Sequence, residues 1–220
     1  MSARLGFIFG RALPLGIFGF LVAIQGELAV GGVQQALAGE LDRAGTMYVL
    51  NRCLTVSFFA FLFVIYMIRG RAVAKNHTPV AVLAALLGTF VLYSLWLMPA
   101  PRTDNVYVLA LSDIFLSFGM TLALYSLTYL RHRFSIVPEA RGLVTSGPYQ
   151  LVRHPIYLGE IIAAFGLILP SFLTLHLVVF LVFVSTQVRR TYYEEDVLRQ
   201  AFPDYLEYAR RTHRLIPYVF

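Results

Sequence analysis

Two short polar stretches of the sequence carry residue types that could bind a small charged ligand. The first contains the turn dipeptide Gly147-Pro148, followed by Arg153, His154 and Pro155. A residue before proline is biased towards extended backbone, so His154 is predicted to lie on an irregular segment. Its imidazole could donate a hydrogen bond to an anion, and the planar guanidinium of Arg153 suits a carboxylate. Alternatively, Arg153 binds a lipid phosphate and His154 bonds to a loop carbonyl.

The second stretch contains the neighbouring carboxylates Glu194 and Glu195. We predict a helix from about Arg189 to Phe202, on which adjacent side chains point about 100° apart. One carboxylate can therefore face a ligand, where it could bind an ammonium group or ribose hydroxyls, while the other meets solvent or a basic partner. The alternative is a solvated acidic run, since Asp196 follows.

A third pattern lies downstream, where Tyr205, Tyr208, Arg211 and Arg214 follow one another at intervals of three. This spacing places them along one stripe of a helix. Such a stripe could seat a planar ring by stacking and phenol hydrogen bonds, or it could rest on lipid headgroups. Both arrangements can hold at once.

The composition is that of an integral membrane protein. The chain is 58% hydrophobic and 14% charged, with a mean hydropathy of +0.70, which is more apolar surface than a soluble domain of this size can bury. Its one cysteine, Cys53, excludes a disulfide framework or a cysteine-ligated metal cluster. The net charge of +6 comes from residues that flank apolar segments, which favours anionic lipids over nucleic acid. We expect no metal and no obligate protein partner.

Four apolar segments are long enough to cross a bilayer as helices. A hydrocarbon core of roughly 30 Å needs about 20 apolar residues per helix. The segments that meet this length lie at about 12–30, 47–68, 79–99 and 106–130. We therefore expect an all-α membrane domain over residues 1–220, with transmembrane helices in 1–130 and the region that carries the chemistry in 131–220.

The next apolar stretch, Ile156 to Val188, is organised differently. It has about 33 residues and Pro170 near its middle, so it is too long for one span and too short for two. Split at Pro170, it gives helices of roughly 14 and 18 residues, or about 21 and 27 Å. We predict a re-entrant hairpin over 156–188 whose turn is shielded by protein. Five to six membrane helices result, and the chain after Val188 returns to the level of Arg153.

Basic residues predict the orientation of this topology. Fifteen of the eighteen Lys and Arg residues fall on one side of it, and short loops rich in these residues stay cytoplasmic. We therefore expect both termini, and the helical region that follows the hairpin, to be cytoplasmic. Within the membrane, a cluster of Glu27, Arg52 and Asp113 at the outer ends of their helices would reduce the cost of burying charge.

The polar region resembles the isoprenylcysteine carboxyl methyltransferase family and, more loosely, the related phospholipid N-methyltransferases. The resemblance covers roughly the last 80 residues, and the preceding residues match only as generic membrane helices. It rests on Gly147-Pro148-Tyr149, on Arg153-His154-Pro155 with Tyr157 and Gly159, on Glu194-Glu195, and on the spacing of tyrosines, arginine and proline from Phe202 to Pro217. The order of these elements around an apolar hairpin makes the signal specific.

The resemblance implies a membrane enzyme that uses S-adenosyl-L-methionine as methyl donor. It implies catalytic roles for Arg153, His154 and Glu195, and it favours Glu195 over Glu194 as the inward-facing carboxylate. The cofactor is expected to contact Pro148, Tyr149, His154, Pro155, Tyr157, Gly159, Glu194, Glu195, Tyr205, Tyr208 and Arg211. Glu160, early in the hairpin, is expected to shape the pocket of the lipophilic or lipidated acceptor.

The acceptor implied by the resemblance is the carboxylate of a prenylcysteine-like or other lipidic molecule. A carboxylate arrives ionised and needs no general base, whereas an amine must lose a proton, and the region offers no dedicated base beyond His154 and the glutamates. Phospholipid N-methylation is the nearest alternative. A sterol-type double-bond reductase using NADPH is another, because Glu160 follows Gly159 as an acidic residue does in such proteins. A transporter is disfavoured, since the polar residues cluster at one face.

Overall fold

The computed structural model describes residues 12–68, 70, 72–76, 78–98, 103–171 and 173–219. Most of these residues are helical, as predicted. Three helices among them are long and apolar enough to cross a membrane: Leu13–Leu37, Gly45–Ile68 and Val106–Arg133. Two shorter apolar helices span Pro79–Leu95 and Pro155–Ser171. The chain is therefore a helical membrane protein.

The chain divides into two compact units, with the boundary between residues 69 and 70. The single domain over 1–220 stays a prediction, as does the orientation in the membrane. Some of the basic residues that support the orientation lie outside the described residues, namely Arg4, Arg11, Arg69 and Arg71.

The first unit is a pair of helices, α1 (Leu13–Leu37) and α2 (Arg43–Ile68). Helix α1 runs seven residues past the predicted end at residue 30, and Gly39 then terminates it with a φ of +76°, a conformation that glycine adopts without strain. Arg52 donates a hydrogen bond of 2.6 Å to Gln25, whereas Glu27 is exposed. The side-chain amide of Gln25 therefore bonds to Arg52, where the predicted charge cluster had placed Glu27.

The second unit begins with β1 (Ala74–Lys75) and α3 (Pro79–Phe90), which continues as a 3-10 helix over Val91–Leu97. The sequence predicted one helix over 79–99. The tighter winding raises the rise per residue from 1.5 to about 2.0 Å. The two pieces together therefore reach about 32 Å, which is enough for a hydrocarbon core.

The predicted hairpin is present as α5 (Pro155–Ile168), a 3-10 turn (Leu169–Ser171) and α6 (Thr174–Ala201). The break near Pro170 and the 14-residue first helix agree with the prediction. The second helix is longer than predicted, with 28 residues, because nothing between Val188 and Phe202 interrupts helical geometry. The expected separate helix after the hairpin is thus the end of α6, and a short helix α7 (Tyr205–Arg211) follows.

Helix α5 packs closely on α4 (Val106–Leu130) through small residues. A Cβ atom added to Gly159 would lie 2.6 Å from the carbonyl oxygen of Gly119, and one added to Gly166 would lie 2.7 Å from that of Ser112. The Ser112 hydroxyl also donates to the Gly166 carbonyl over 2.7 Å. Glycine is required here because two backbones touch. This contact fixes the height at which α5 begins.

The turn of the hairpin is enclosed by protein, as predicted. Pro170 and Ser171 are buried, and the Pro170 carbonyl accepts a hydrogen bond of 2.8 Å from the Thr103 amide. His176 bonds to Ser171 and, over 2.9 Å, to the Met98 carbonyl. The turn therefore lies beside the segment that precedes α4. Whether the hairpin is re-entrant in a membrane stays a prediction.

Candidate functional site

The hairpin brings the segment before α5 against the segment after α7. Val152 and His213 form a parallel bridge, the Arg153 amide donates to the His213 carbonyl over 2.8 Å, and the His154 amide donates to the Arg214 carbonyl over 3.1 Å. The segment around His213 thus lies along the Arg153-His154-Pro155 motif like a short strand. This geometry confirms that the chain returns to the level from which it entered the hairpin.

Glu195 is the centre of a buried ion cluster. Its side chain is 1% exposed and accepts hydrogen bonds from Arg153 at 2.9 Å and from Arg214 at 2.9 and 3.0 Å. His154 Nε2 lies 3.3 Å from the same carboxylate. Burial alone would raise the pKa of Glu195, but the hydrogen bonds from His154, Arg214 and Arg153 outweigh it and hold the pKa well below its usual range. Glu195 therefore joins elements from three parts of the second unit.

Glu194, the second of the two predicted carboxylates, is less buried than Glu195. Its side chain is 24% exposed, it lines a cavity, and it accepts a hydrogen bond from the Tyr157 hydroxyl. His154 lies between the two carboxylates, with Nδ1 3.7 Å from Glu194, and its ring stacks on Tyr157 at 5.6 Å and 9°. The rotation of α6 about its own axis decides which glutamate faces the cavity. The arginines around Glu195 fix that rotation.

The cavity lies where α4 ends and α5 begins. Seven predicted site residues line it: Tyr149, Arg153, His154, Tyr157, Glu194, Tyr205 and Tyr208. The structure brings these residues together from three separate segments of the chain. The cavity is thus a common surface for the three sequence patterns described above.

Two tyrosine hydroxyls at this cavity are buried without a hydrogen-bond partner among the described residues. They belong to Tyr149, which is 5% exposed, and Tyr205, which is 0% exposed. Burial raises the pKa of Tyr149, and the charge of Glu194 adds to that effect, so the phenol stays protonated as a donor. A buried donor without a partner costs free energy. A bound ligand would supply that partner.

Other predicted residues have different contacts. Pro148 and Pro155 occupy the first turns of the 3-10 helix Gly147–Gln150 and of α5. Gly159 packs on Gly119 of α4, and this contact holds α5 against α4. Arg211 is exposed and pairs with the exposed Glu207.

Glu160 is not among the residues that line the cavity, and its predicted role in the acceptor pocket stays a prediction. Gln187 donates to it over 2.5 Å, and Arg190 in turn donates to Gln187 over 2.9 Å. The guanidinium of Arg190 lies 4.6 Å from the centre of the Tyr157 ring and donates to the Ile136 carbonyl over 3.2 Å. Arg190 therefore connects the part of the cavity wall that contains Tyr157 with the part that contains Ile136.

The wall around Ile136 was missed by the sequence analysis. It consists of residues 133–144, of which Arg133, Ser135, Glu139, Arg141 and Gly142 line the cavity together with apolar neighbours. The pairing of β1 with β2 (Glu139–Ala140) anchors this segment. Its sequence signal is a run of charged and small residues directly after a membrane helix, which served only to predict orientation.

The residues at the cavity fit S-adenosylmethionine. Glu194 offers a carboxylate for an ammonium group or ribose hydroxyls, the two phenols offer donors without partners, and the parallel rings of His154 and Tyr157 offer a flat aromatic surface. Among the described residues, no group of three or more His, Cys, Asp or Glu side chains could hold a metal ion.

Comparison with known proteins agrees with the resemblance. The sequence model of the phospholipid methyltransferase family matches residues 106–205, which include α4, the hairpin and most of the cavity. A probable protein-S-isoprenylcysteine O-methyltransferase of Oryza sativa subsp. indica is 40% identical over 83 residues, which cover 37% of this chain and 44% of that protein.

Two further relatives carry names of metal resistance. The cobalt-zinc-cadmium resistance protein CzcN of Cupriavidus metallidurans is 35% identical over 134 residues, or 59% of each chain. The nickel-cobalt-cadmium resistance protein NccN of Alcaligenes xylosoxydans xylosoxydans is 32% identical over 80 residues, or 36% of this chain and 38% of that protein. The chain spans less than two thirds of each of these relatives. The similarities support a membrane methyltransferase, and the predicted resemblance is confirmed by the match of residues 106–205 to the phospholipid methyltransferase family.

Proposed function

We propose that this protein uses S-adenosylmethionine to methylate the carboxylate of a prenylcysteine-like or other lipidic acceptor at the cytoplasmic face of a membrane. The observation that carries the proposal is the cavity at the end of α4, a helix long enough to cross a bilayer. Glu194, the His154–Tyr157 stack and two phenols without partners among the described residues meet there. The similarity to isoprenylcysteine O-methyltransferases supports the same chemistry.

In this proposal the residues bind and align, because methyl transfer is a direct displacement. S-adenosylmethionine, when bound, supplies an electrophilic methyl group on a sulfonium. Glu194 would hold the ammonium or ribose hydroxyls of the donor, and the Tyr149 and Tyr205 hydroxyls would donate to its acceptor atoms. A carboxylate acceptor needs no proton removed, so positioning and exclusion of water supply the catalysis. Arg153 and Glu195 would support the site by fixing the third predicted catalytic residue, His154.

A lipophilic acceptor would reach the cavity from the bilayer, while the polar donor would enter from the cytoplasm. We propose that both termini are cytoplasmic, because the basic residues then lie on the inner side. Reporter fusions after Tyr218 and within the loop around Lys75 should give the same compartment. A C-terminal reporter on the outer side would contradict the site's position.

The first experiment is a thermal shift of the purified protein in detergent with S-adenosylmethionine, S-adenosylhomocysteine or NADPH. A ligand at a hundred times its Kd adds about 2.7 kcal/mol to the stability of the folded state. We expect a shift with the two sulfur compounds and none with NADPH. A shift with NADPH alone would favour the reductase alternative and would overturn the proposal.

The second experiment separates the donor site from a general effect of charge. Glu194→Gln should weaken S-adenosylmethionine roughly tenfold or more, because it removes a charge from the cavity wall. Glu207→Gln is the matched control, since Glu207 is an exposed glutamate with a surface partner. Equal donor affinity in both variants would contradict the role of Glu194.

Phospholipid N-methylation is a second candidate, which the family match to residues 106–205 favours. An amine acceptor must lose a proton, and Glu194, next to the Tyr157 hydroxyl, is the carboxylate available to take it. Radiolabelled methyl transfer to N-acetyl-S-farnesylcysteine and to vesicles of phosphatidylethanolamine distinguishes the two. Labelled methyl ester in the first assay supports our proposal, and labelled phospholipid alone supports the second candidate.

A further inference from the structure

Three arginines line the cavity, and two of them already have a carboxylate partner within the protein. Arg141 pairs with Glu139, both with side chains 3% exposed, and Arg153 pairs with Glu195 at 2.9 Å. Arg133 differs, because the structure gives it no hydrogen bond or ion pair among the residues that it describes. Among the described residues, Arg133 is therefore the arginine of the cavity lining whose guanidinium has no carboxylate partner.

Arg133 is held at the wall by the shape of its surroundings. It is partly buried at the end of the short 3-10 helix Arg131–Arg133 that follows α4. Its side chain lies over Gly142, where an added Cβ atom would come within 2.6 Å of Arg133 Nε and 2.8 Å of its Cδ. Any side chain at position 142 would therefore displace the guanidinium. The missing side chain of Gly142 thus leaves the space that the Arg133 side chain occupies in the cavity wall.

We propose that Arg133, whose side chain packs against Gly142, binds a carboxylate of a molecule held in this cavity. A partly desolvated guanidinium without an anion is unfavourable, whereas a carboxylate can accept two parallel hydrogen bonds from it. The inference rests on the proposed function, which supplies two sources of this group. One is the amino-acid end of the methyl donor, and the other is the carboxylate of the acceptor.

The test compares ligands that differ in the carboxylate, using the full chain in detergent and isothermal titration. On the donor side the pair is S-adenosylhomocysteine and 5′-methylthioadenosine, which lacks the amino-acid part. On the acceptor side the pair is N-acetyl-S-farnesylcysteine and its methyl ester. The variants are Arg133→Ala, Arg133→Lys, Gly142→Ala and, as matched control, Arg210→Ala, an exposed arginine of α7 outside the cavity lining.

We expect Arg133→Ala to weaken the carboxylate member of one pair roughly ten- to a hundredfold and to leave its partner unchanged. Arg133→Lys should lose less, and Gly142→Ala should reproduce the selectivity in weaker form, which also covers poor folding of Arg133→Ala. A selective loss in the donor pair identifies the donor carboxylate, and one in the acceptor pair identifies the acceptor.

Other outcomes overturn the inference in distinguishable ways. Equal losses for both members of each pair mean that Arg133 only supports the fold, and unchanged affinities throughout mean that it binds no ligand. A wild-type protein that binds S-adenosylhomocysteine, together with an unselective Arg133→Ala variant, refutes this inference alone. A wild-type protein that binds neither donor compound refutes the proposed function, and the inference with it.

Discussion

Replacing Glu195 by glutamine would test whether the buried ion cluster holds the catalytic region together. The change removes one negative charge at nearly constant volume. Arg153 and Arg214, whose side chains are 12% and 13% exposed, would then lose their carboxylate at 2.9 Å. Arg153 would keep the carbonyl oxygens of Ala209 and Thr212, but neither arginine would retain a buried anion.

The expected cost follows from the burial of the cluster. Removal of one partner from a buried ion pair costs about 3–5 kcal/mol, because a desolvated charge remains. The amide oxygen of glutamine still accepts one hydrogen bond, so we place Glu195→Gln near 3 kcal/mol. For a domain of this size, 1 kcal/mol corresponds to roughly 2–4 °C in Tm. The apparent Tm should therefore fall by about 6–12 °C.

The measurement is thermal unfolding in detergent at neutral pH, followed by tryptophan fluorescence or by loss of monodisperse protein. Glu207→Gln is the control, because the Glu207–Arg211 pair is exposed, with side chains 65% and 75% exposed. Such a surface pair contributes less than about 1 kcal/mol. If Glu195→Gln melts within 2 °C of this control, by the same roughly 2–4 °C per kcal/mol, the cluster does not hold the region together.

Three further predictions concern packing, the phenols and pH. Gly159→Ala should lower the stability measured by thermal unfolding by roughly 2–3 kcal/mol, because the added Cβ atom would clash with the Gly119 carbonyl. Gly26→Ala is the control and should have no such effect, since nothing lies within 4 Å of a Cβ atom added there. Equal effects of the two variants would disprove the close approach. Tyr205→Phe removes a buried hydroxyl that has no partner among the described residues, so the ligand-free Tm should stay the same or rise. The same change should weaken S-adenosylmethionine binding roughly two- to tenfold, and unchanged affinity would exclude the hydroxyl from binding. The folded state lowers the pKa of Glu195, so the stability that this group contributes is fully present above its usual pKa of 4.5 and is lost as the pH falls below it. We therefore expect the Tm to decrease when the pH is lowered below about 4.5, and to decrease less in Glu195→Gln.

The hairpin was predictable from sequence because its cause is local. Pro170 lacks an amide hydrogen, and the apolar stretch around it is too long for one span. These two facts require a break and a return whatever the neighbours are. The same reasoning did not predict that the second helix of the hairpin and the predicted helix over 189–202 form one continuous helix, since helix continuation is decided by packing as much as by propensity.

The orientation of the two glutamates was not predictable, because its cause is distant. Adjacent helix positions differ by about 100°, so either could face inward until the partners are known. The partner of Glu195 is Arg153, 42 residues earlier, and no spacing rule connects them. Likewise, Arg133 was seen only as a marker of orientation, since its place in the cavity depends on Gly142.

The close contact of α4 with α5 determines how ligands can enter and leave. Where Gly119 and Gly159 bring two helix backbones together, neither helix can slide or rotate without a clash, because packed interiors do not deform continuously. Residues 133–150 and α7, by contrast, are fastened by individual side chains such as Arg190 and Arg214. We therefore expect a polar ligand, such as the proposed methyl donor, to enter and leave on the loop side of the cavity, at a rate set by how often those side-chain contacts open.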